Sequence, residues 1–207
     1  MTVEYPSWLR PLVEAAPTVR PADLRRHLPP PEGGRKAAVL ILFGETVDGP
    51  DVLLVQRSDD LRAHAGQPAF PGGALDAGDR DAAAAALREA EEETGLDPAG
   101  VEIVAALPEL FVSVSGYAVT PLIGWWRKPT PVHAVDPAET ALVARVPVAE
   151  LADPANRLRI RHPSGRVGPA FRVRGMTVWG FTGGLLDRVL ALGGWERPWS
   201  RSRVETL

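Results

Sequence analysis

The 207-residue sequence contains no cysteine. This absence excludes disulfide bonds, zinc sites with thiolate ligands and catalysis by a thiol. The chain also has no run of eighteen apolar residues, and residues 1–6 lack the basic start and apolar core of a secretory signal. We therefore expect a soluble, cytoplasmic protein without a membrane partner.

Neither positive nor negative charge is in large excess. The formal net charge is -3, and no block of lysine or arginine suggests a nucleic-acid partner. The length suits one well-buried domain and is too short for two ordinary domains. We expect an N-terminal helical segment with a Pro/Gly linker over residues 1–34, a domain over 35–195, and a loose C-terminal tail over 196–207.

The most informative stretch is residues 68–96, where a glycine-rich loop leads into an acidic helix. An alanine run over 82–86 favours the helix, and Gly95 stands where a left-handed C-terminal cap belongs. Asp79 and Asp81 suit the N-terminal end as capping residues. The helical period predicts one stripe of small residues that packs against a sheet. Its members are Ala83, Ala86, Leu87, Ala90 and Thr94.

A second face of this helix collects three carboxylates. Glu89, Glu92 and Glu93 have i, i+3 and i+4 spacing, whereas Glu91 points elsewhere. Like charges at this spacing cost about 0.2–0.5 kcal/mol per pair, and they also oppose the helix dipole. A solvated acidic face is one interpretation. The bare backbone of Pro71-Gly72-Gly73 supports the other, a site for a hard cation such as Mg²⁺.

The rest of the chain alternates between short strands and helices. One or two short helices are expected within residues 7–28, and a final amphipathic helix over 181–192. Strands are predicted over 37–44, 51–57, 101–107, 112–126 with a bend at Gly116, 132–135, 158–162, 170–174 and 176–178. Trp125 and Trp126 are interpreted as core or sheet-edge residues rather than as a base-stacking platform.

The acidic helix and its loop resemble a known sequence motif. Residues 73–96 resemble the Nudix box, and Arg88-Glu89-Ala90-Glu91-Glu92-Glu93-Thr94-Gly95-Leu96 matches its second half. The first half differs, because Asp79 stands where the motif has glutamate, and eight residues rather than seven separate it from Arg88. This difference leaves the role of Asp79 open. The resemblance implies an α/β fold, the Nudix α/β/α sandwich with a mixed central sheet.

In its aspartate and additional residue, this motif is similar to that of the coenzyme A diphosphatase branch of the Nudix family. An upstream signature over residues 53–73 also matches that branch, as do residues 115–121 and 178–182. The resemblance implies metal-dependent hydrolysis of the diphosphate of coenzyme A or its thioesters. The alternatives are a Nudix hydrolase of another nucleoside diphosphate, such as ADP-ribose or NADH, and a non-enzymatic nucleotide sensor. Whether the protein forms a homodimer stays open.

The resemblance also implies roles for individual residues. Mg²⁺ or Mn²⁺ is expected on Glu89, Glu92 and Glu93 together with the Gly72 carbonyl. Arg88 is expected to orient the glutamates. The candidates for the general base are Glu89, Glu92 and Glu139, although Glu139 could equally be a cap. The expected substrate-binding residues lie in the loop before the glycines, where an arginine would bind phosphate. They are Arg57, Ser58, Arg62, Gln67 and Phe70.

Overall fold

The computed structural model describes residues 4–24, 34–59, 65–113 and 115–207. The strands are β1 (Arg35–Thr46), β2 (Gly49–Arg57), β3 (Pro68–Ala69), β4 (Gly72–Ala74), β5 (Val101–Ala106), β6 (Leu110–Val112), β7 (Tyr117–Trp126), β8 (Thr140–Pro147), β9 (Arg157–Arg161), β10 (Val167–Val173), β11 (Met176–Val178) and β12 (Val204–Thr206). The helices are α1 (Arg10–Ala15), α2 (Pro21–Leu24), α3 (Ala82–Thr94), α4 (Val148–Ala152) and α5 (Gly180–Leu192). Short 3-10 turns occur at Ser7–Leu9, Ala16–Thr18, Pro98–Gly100 and Pro154–Asn156.

The larger sheet is mixed, as the family resemblance implies. Its strands follow the order β3-β2-β1-β7-β5, with β8 paired to β2, β4 to β1 and β6 to β7. β1 and β7 run parallel, whereas β1 and β2 form an antiparallel hairpin. The middle of β1 is buried because both faces of the sheet are covered, which explains its continuous apolar sequence.

Helices cover both faces of this sheet. On one face the small residues Ala85, Ala86 and Ala90 of α3 pack against Leu40 and Leu42 of β1. On the other face, residues of the N-terminal helices and α5 enclose the larger apolar cluster, which also contains part of the small sheet. The predicted α/β/α sandwich is therefore confirmed. None of the helices in the described ranges is long and apolar enough to cross a membrane.

The second sheet comes from the C-terminal part of the chain, in the order β11-β10-β9-β12. β12 pairs in parallel with β9, so the prediction of a loose tail after residue 195 is wrong. The tail is ordered around Arg157, whose guanidinium carbon lies 4.4 Å from the ring centres of both Phe171 and Trp199. Arg157 also pairs with Asp187 of α5. These contacts join sequence-distant segments, which a local pattern does not reveal.

Two further strand predictions differ from the structure. The predicted bent strand over 112–126 is a hairpin of β6 and β7, turned at Gly116 with φ of 73°. Residues 132–135 form no strand, because the N–H groups of His133 and Val135 donate to the carbonyls of Thr94 and Glu93 at the end of α3. This segment closes the helix instead of pairing in a sheet. Trp126 is fully buried, and Trp125 packs against Trp8, which confirms their core positions.

Candidate metal and diphosphate site

The acidic helix α3 is fixed at both ends by its own sequence. The Asp81 carboxylate accepts a hydrogen bond from the Ala84 N–H at 2.8 Å, which caps the first turn. Gly95 ends the helix with φ of 67°, a left-handed conformation that glycine adopts without a steric cost. Glu91 is exposed, while the Glu89 and Glu93 side chains are turned toward the glycine loop.

Glu89 lies directly against the bare backbone of Gly73. A Cβ atom on Gly73 would come within 2.4 Å of the Glu89 carboxylate, so residue 73 must be glycine for this carboxylate to stay in place. A side chain at Gly72 would instead meet the Ala38 carbonyl oxygen at 2.3 Å, across the β1–β4 pairing. The two glycines therefore let the loop approach the helix on one side and the sheet on the other.

Glu93 is the most buried of the three glutamates, with a side chain that is 11% exposed. It accepts a hydrogen bond from the Gly72 N–H at 3.1 Å. Its Oε1 atom lies 4.0 Å from Nη1 of Arg57, the last residue of β2. Burial raises the pKa of Glu93 to about 7, and the charges of Glu89 and Glu139 add to the rise. The Gly72 N–H and Arg57 oppose it. Burial makes the ionised form of this carboxylate costly, and a bound cation would stabilise that form.

Arg88 connects the loop to the glutamates. Its Nη1 donates to both Glu89 and Glu92 at 3.0 Å, and its Nη2 donates to the Ala74 carbonyl at 3.1 Å. Asp79 holds the other edge of the guanidinium through two hydrogen bonds, of 3.2 Å to Nε and 3.0 Å to Nη2. Arg88 also keeps the pKa of Asp79 below its usual range.

The role of Asp79 was the main feature that sequence reasoning missed. Asp81 alone supplies the capping side chain of α3, so the predicted capping role of Asp79 is wrong. Besides holding Arg88, Asp79 accepts the Asp76 N–H at 2.8 Å, which folds the loop before the helix. A carboxylate nine residues before an arginine in a glycine-containing loop was the available signal, but the loop conformation decides whether they meet.

The donor set fits a hard divalent cation. Carboxylate oxygens of Glu89 and Glu93 lie beside the loop at Gly72, and Mg²⁺ and Mn²⁺ prefer such oxygen ligands. Within the described ranges, no three acidic, histidine or cysteine side chains already converge as a complete ligand set. Glu92 is 59% exposed and turned to Arg88. Burial is the main cause that raises the pKa of Glu89, which is 20% exposed.

The structure brings Glu139 to the border of this site. Its carbonyl accepts a hydrogen bond from the Ser58 N–H at 2.9 Å, which ties the loop before β8 to the end of β2. The Glu139 side chain is exposed, and its charge acts on Glu93. Glu139 therefore faces solvent close to the buried carboxylate.

The predicted substrate-binding residues fall into different environments. Arg57 is 35% exposed beside Glu93, and Gln67 is half-buried with its carbonyl accepting the Arg57 N–H at 3.2 Å. Ser58 is buried at 6% exposure. Phe70 is 2% exposed and packs in the larger apolar cluster, so the structure places its side chain in the core. Arg62 lies outside the described residues.

The family model, the relatives and the solved structure that match this chain all point to the same family. The NUDIX domain family model matches residues 34–164. A protein of Escherichia fergusonii described as an uncharacterized Nudix hydrolase NudL is 44% identical over 165 residues, which cover 76% of this chain and 82% of the relative. One of Cronobacter sakazakii with the same description is 42% identical over 171 residues, which cover 79% and 85%. The crystal structure of the M. smegmatis Nudix hydrolase RenU superposes with a TM-score of 0.57 at 20% identity, covering 82% of this chain and 92% of that one.

Proposed function

Because this chain belongs to the Nudix family and is a Nudix hydrolase, we propose that it hydrolyses the diphosphate bond of coenzyme A or its thioesters. The products would be 3′,5′-ADP and phosphopantetheine or its acyl form. An enzyme of this family acts on diphosphate bonds of small nucleotides and generally uses a divalent metal ion. The finer assignment to coenzyme A is supported by the signature over residues 53–73 and by the aspartate and additional residue in the acidic motif.

The position of Arg57 is the observation that carries the proposal. Arg57 belongs to the upstream signature, yet the fold brings its guanidinium to 4.0 Å from the Glu93 carboxylate. A forked cation at the edge of a carboxylate cluster suits a diphosphate whose oxygens are shared between metal and arginine. This approach of Arg57 to Glu93 supports a shared role for the signature and the acidic helix.

The protein's own residues have separate tasks in this reaction. Glu89, Glu93 and the Gly72 carbonyl would hold Mg²⁺ or Mn²⁺, and Glu92 would join them by leaving Arg88. The bound metal supplies charge neutralisation at the diphosphate and a lower pKa for the attacking water. Arg57 binds phosphate oxygens. Arg88 orients the carboxylates without touching the substrate.

A proton acceptor is needed for the attacking water. Glu139 is exposed beside the carboxylate cluster and is free to accept a proton without first leaving a ligand position. Glu89 and Glu92 remain the other two candidates. Comparing the pH–rate profiles of Glu139→Gln and wild type at saturating metal tests Glu139 as the base, because its loss should remove the part of the acidic limb that reports the base.

Phosphorus NMR of the products tests the substrate. Purified protein is incubated with Mg²⁺ or Mn²⁺ and with coenzyme A, ADP-ribose or NADH in parallel. Formation of 3′,5′-ADP from coenzyme A in clear preference supports the proposal. Turnover of ADP-ribose or NADH alone would agree with a Nudix hydrolase but contradict the assignment of coenzyme A as the substrate. Nucleotide binding without any turnover would instead favour a sensor.

A further inference from the structure

The segment over residues 135–140 connects the acidic helix to the end of β2. At its start, the Val135 N–H donates to the Glu93 carbonyl at 3.4 Å. Near its end, the Glu139 carbonyl accepts the Ser58 N–H at 2.9 Å. The backbone that carries Glu139 is therefore attached on one side to α3 and on the other side to the loop after β2.

Asp136 forms the turn within this segment. Its Oδ1 atom accepts the Ala138 N–H at 2.9 Å. Its carbonyl accepts the N–H groups of Glu139 at 3.0 Å and Thr140 at 2.9 Å. Aspartate commonly binds a backbone N–H two residues later in this way, and Pro137 fixes one backbone dihedral between the bonded groups. The N–H and the carbonyl of Glu139 thus both have partners.

A bulge at the start of β8 sets the direction of the turn. The pairing of β8 with β2 shifts by one residue at Ala141, between the partners of Gln56 and Arg57. An extra residue of this kind interrupts the alternation of side chains along a strand and redirects those beside it. Thr140 is 2% exposed, whereas its neighbour Glu139 is exposed. The strand end is thus anchored in the interior, while Glu139 reaches solvent at the border of the site.

The Glu139 carboxylate itself is not held by other side chains. In the ranges that the structure describes, it makes no hydrogen bond and no ion pair. Its charge contributes to the raised pKa of Glu93, which agrees with a position close to that carboxylate. A general base must lie within hydrogen-bond reach of the proton that it removes. Only a fixed backbone keeps an otherwise unbound carboxylate at such a place.

We propose that Asp136 is a positioning residue for Glu139, which accepts the proton of the attacking water. Asp136 does not touch the substrate and acts only through the turn. Glu89 and Glu92, the other candidates for the base, already accept hydrogen bonds from Arg88. This inference rests on the proposed function, because it supplies the anchor for the base of that reaction, but it does not depend on coenzyme A as the substrate.

The proton transfer that this turn would support is simple. The water oxygen forms a bond to one phosphorus of the diphosphate, and its proton passes to the Glu139 carboxylate. The bond between that phosphorus and the bridging oxygen breaks, and the oxygen leaves with the other phosphate. A turn that moves Glu139 away should slow this step without weakening substrate binding.

The chain provides a matched control for Asp136. The sequence Asp-Pro-Ala occurs again at residues 97–99 and 153–155. In both turns the alanine N–H donates to Oδ1 of the aspartate at 2.9 Å, as it does in the turn of Asp136. The turn of Asp153 joins α4 to the 3-10 turn Pro154–Asn156, neither of which contributes to the candidate site. Removing the Asp153 carboxylate therefore deletes the same bond elsewhere in the fold.

Steady-state kinetics at saturating metal tests the proposal. Asp136→Ala removes the acceptor for the Ala138 N–H and should lower kcat about tenfold, with KM changed by less than about twofold. Asp136→Asn keeps an acceptor oxygen and should recover most of the loss. Asp153→Ala should retain the wild-type kcat. Wild-type kcat in Asp136→Ala, or equal losses in Asp136→Ala and Asp153→Ala, overturns the proposal.

A double variant shows whether Asp136 acts through Glu139. In an enzyme that already carries Glu139→Gln, Asp136→Ala should cause no further loss of kcat, since the group that it positions is absent. Losses that multiply in the double variant contradict this dependence. Wild-type turnover in Glu139→Gln also overturns the proposal, because Glu139 would then not be the base.

A backbone variant gives a second readout if Asp136→Ala folds poorly. Proline has no N–H to lose, so Pro137→Gly only increases the freedom of the turn. It should lower kcat about threefold with KM retained, whereas Pro154→Gly in the control turn should keep the wild-type kcat. Equal kcat values in these two variants contradict the proposal.

The choice of substrate separates this inference from the proposed function. The variants are assayed on whichever of coenzyme A, ADP-ribose and NADH the wild type hydrolyses. Hydrolysis of ADP-ribose without hydrolysis of coenzyme A contradicts the proposed substrate, and Asp136 is then tested on ADP-ribose. Hydrolysis of coenzyme A with wild-type kcat in Asp136→Ala contradicts the positioning role alone. Absence of turnover with all three substrates contradicts both.

Discussion

Asp79 and Arg88 form a two-bond ion pair, with Oδ1 3.2 Å from Nε and Oδ2 3.0 Å from Nη2. The Asp79 carboxylate is 6% exposed, and the arginine uses its remaining donors on the Ala74 carbonyl, Glu89 and Glu92. Asp79 therefore acts on the candidate metal ligands through Arg88. The longer spacing and the shorter side chain in the motif still produce a complete ion pair.

Replacing Asp79 tests this positioning role. Asp79→Asn removes the charge and directs an amide toward the guanidinium, so we expect kcat to fall about 10- to 100-fold with KM little changed. Asp79→Glu keeps the charge and should recover part of the loss. Steady-state kinetics at saturating metal, together with a metal titration, measures both effects. Full kcat and unchanged metal affinity in Asp79→Asn would show that the pair does not orient the glutamates.

Gly73→Ala should displace Glu89 without unfolding the protein. The new Cβ would lie 2.4 Å from the Glu89 carboxylate, which is the far end of a flexible side chain and can move. We expect at least about a tenfold loss of turnover with a thermal midpoint near that of wild type. Gly78→Ala is the control, because a Cβ there meets nothing within 4 Å. Wild-type turnover in Gly73→Ala would contradict the assignment of Glu89 as a metal ligand.

Glu93→Gln should separate activity from stability. Glutamine can still accept the Gly72 N–H but supplies no charge to a cation, so turnover should fall at least about a hundredfold. Without metal, its thermal midpoint at pH 8 should equal or exceed that of wild type, because a buried charge is removed whose desolvation outweighs its contacts with the Gly72 N–H and Arg57. Glu91→Gln, on an exposed part of α3, should leave turnover unchanged. An active Glu93→Gln enzyme would exclude Glu93 as a metal ligand.

The stability of the metal-free protein should depend on pH through Glu93. Burial raises the folded-state pKa of Glu93 to about 7, from an ordinary value of 4.5. The folded state therefore binds the proton more tightly than the unfolded state. Stability from this group is fully present below pH 4.5 and is lost as pH rises to 7, by up to about 3 kcal/mol.

Denaturant unfolding between pH 5 and pH 8 without metal measures this effect. The free energy of unfolding of wild type should fall relative to that of Glu93→Gln as the pH increases. Added Mg²⁺ should then restore more stability at pH 8 than at pH 5, since the cation binds the ionised carboxylate. Parallel pH curves for the two proteins would rule out a raised pKa at Glu93.

Trp199→Ala should weaken the C-terminal part of the fold. The indole covers the buried Arg157 guanidinium at 4.4 Å from its ring centre, so its removal exposes the ion pair with Asp187. We expect a loss of about 1–2 kcal/mol in the free energy of unfolding, with turnover at 25 °C retained. Trp199→Phe should keep most of the stability. A thermal midpoint unchanged by Trp199→Ala would mean that the tail does not support the domain.

The sequence alone determined the features that depend on neighbouring residues. The helix from Ala82 to Thr94, its Gly95 cap and the orientation of Glu91 away from the site follow from helical period and backbone preference, and the structure confirms them. Most strands were also predictable, because continuous or alternating apolar runs are local signals. The motif further indicated which carboxylates to expect in the candidate site.

Only the tertiary structure decided the features that join distant parts of the chain. The partner of Arg88, the core position of Phe70 and the pairing of β12 with β9 depend on loop conformation and on which surfaces meet. The approach of Arg57 to Glu93 belongs to the same class, since more than twenty residues, which include β3 and β4, separate β2 from α3. Contacts of this kind depend on packing between whole elements, which residue type and spacing do not encode.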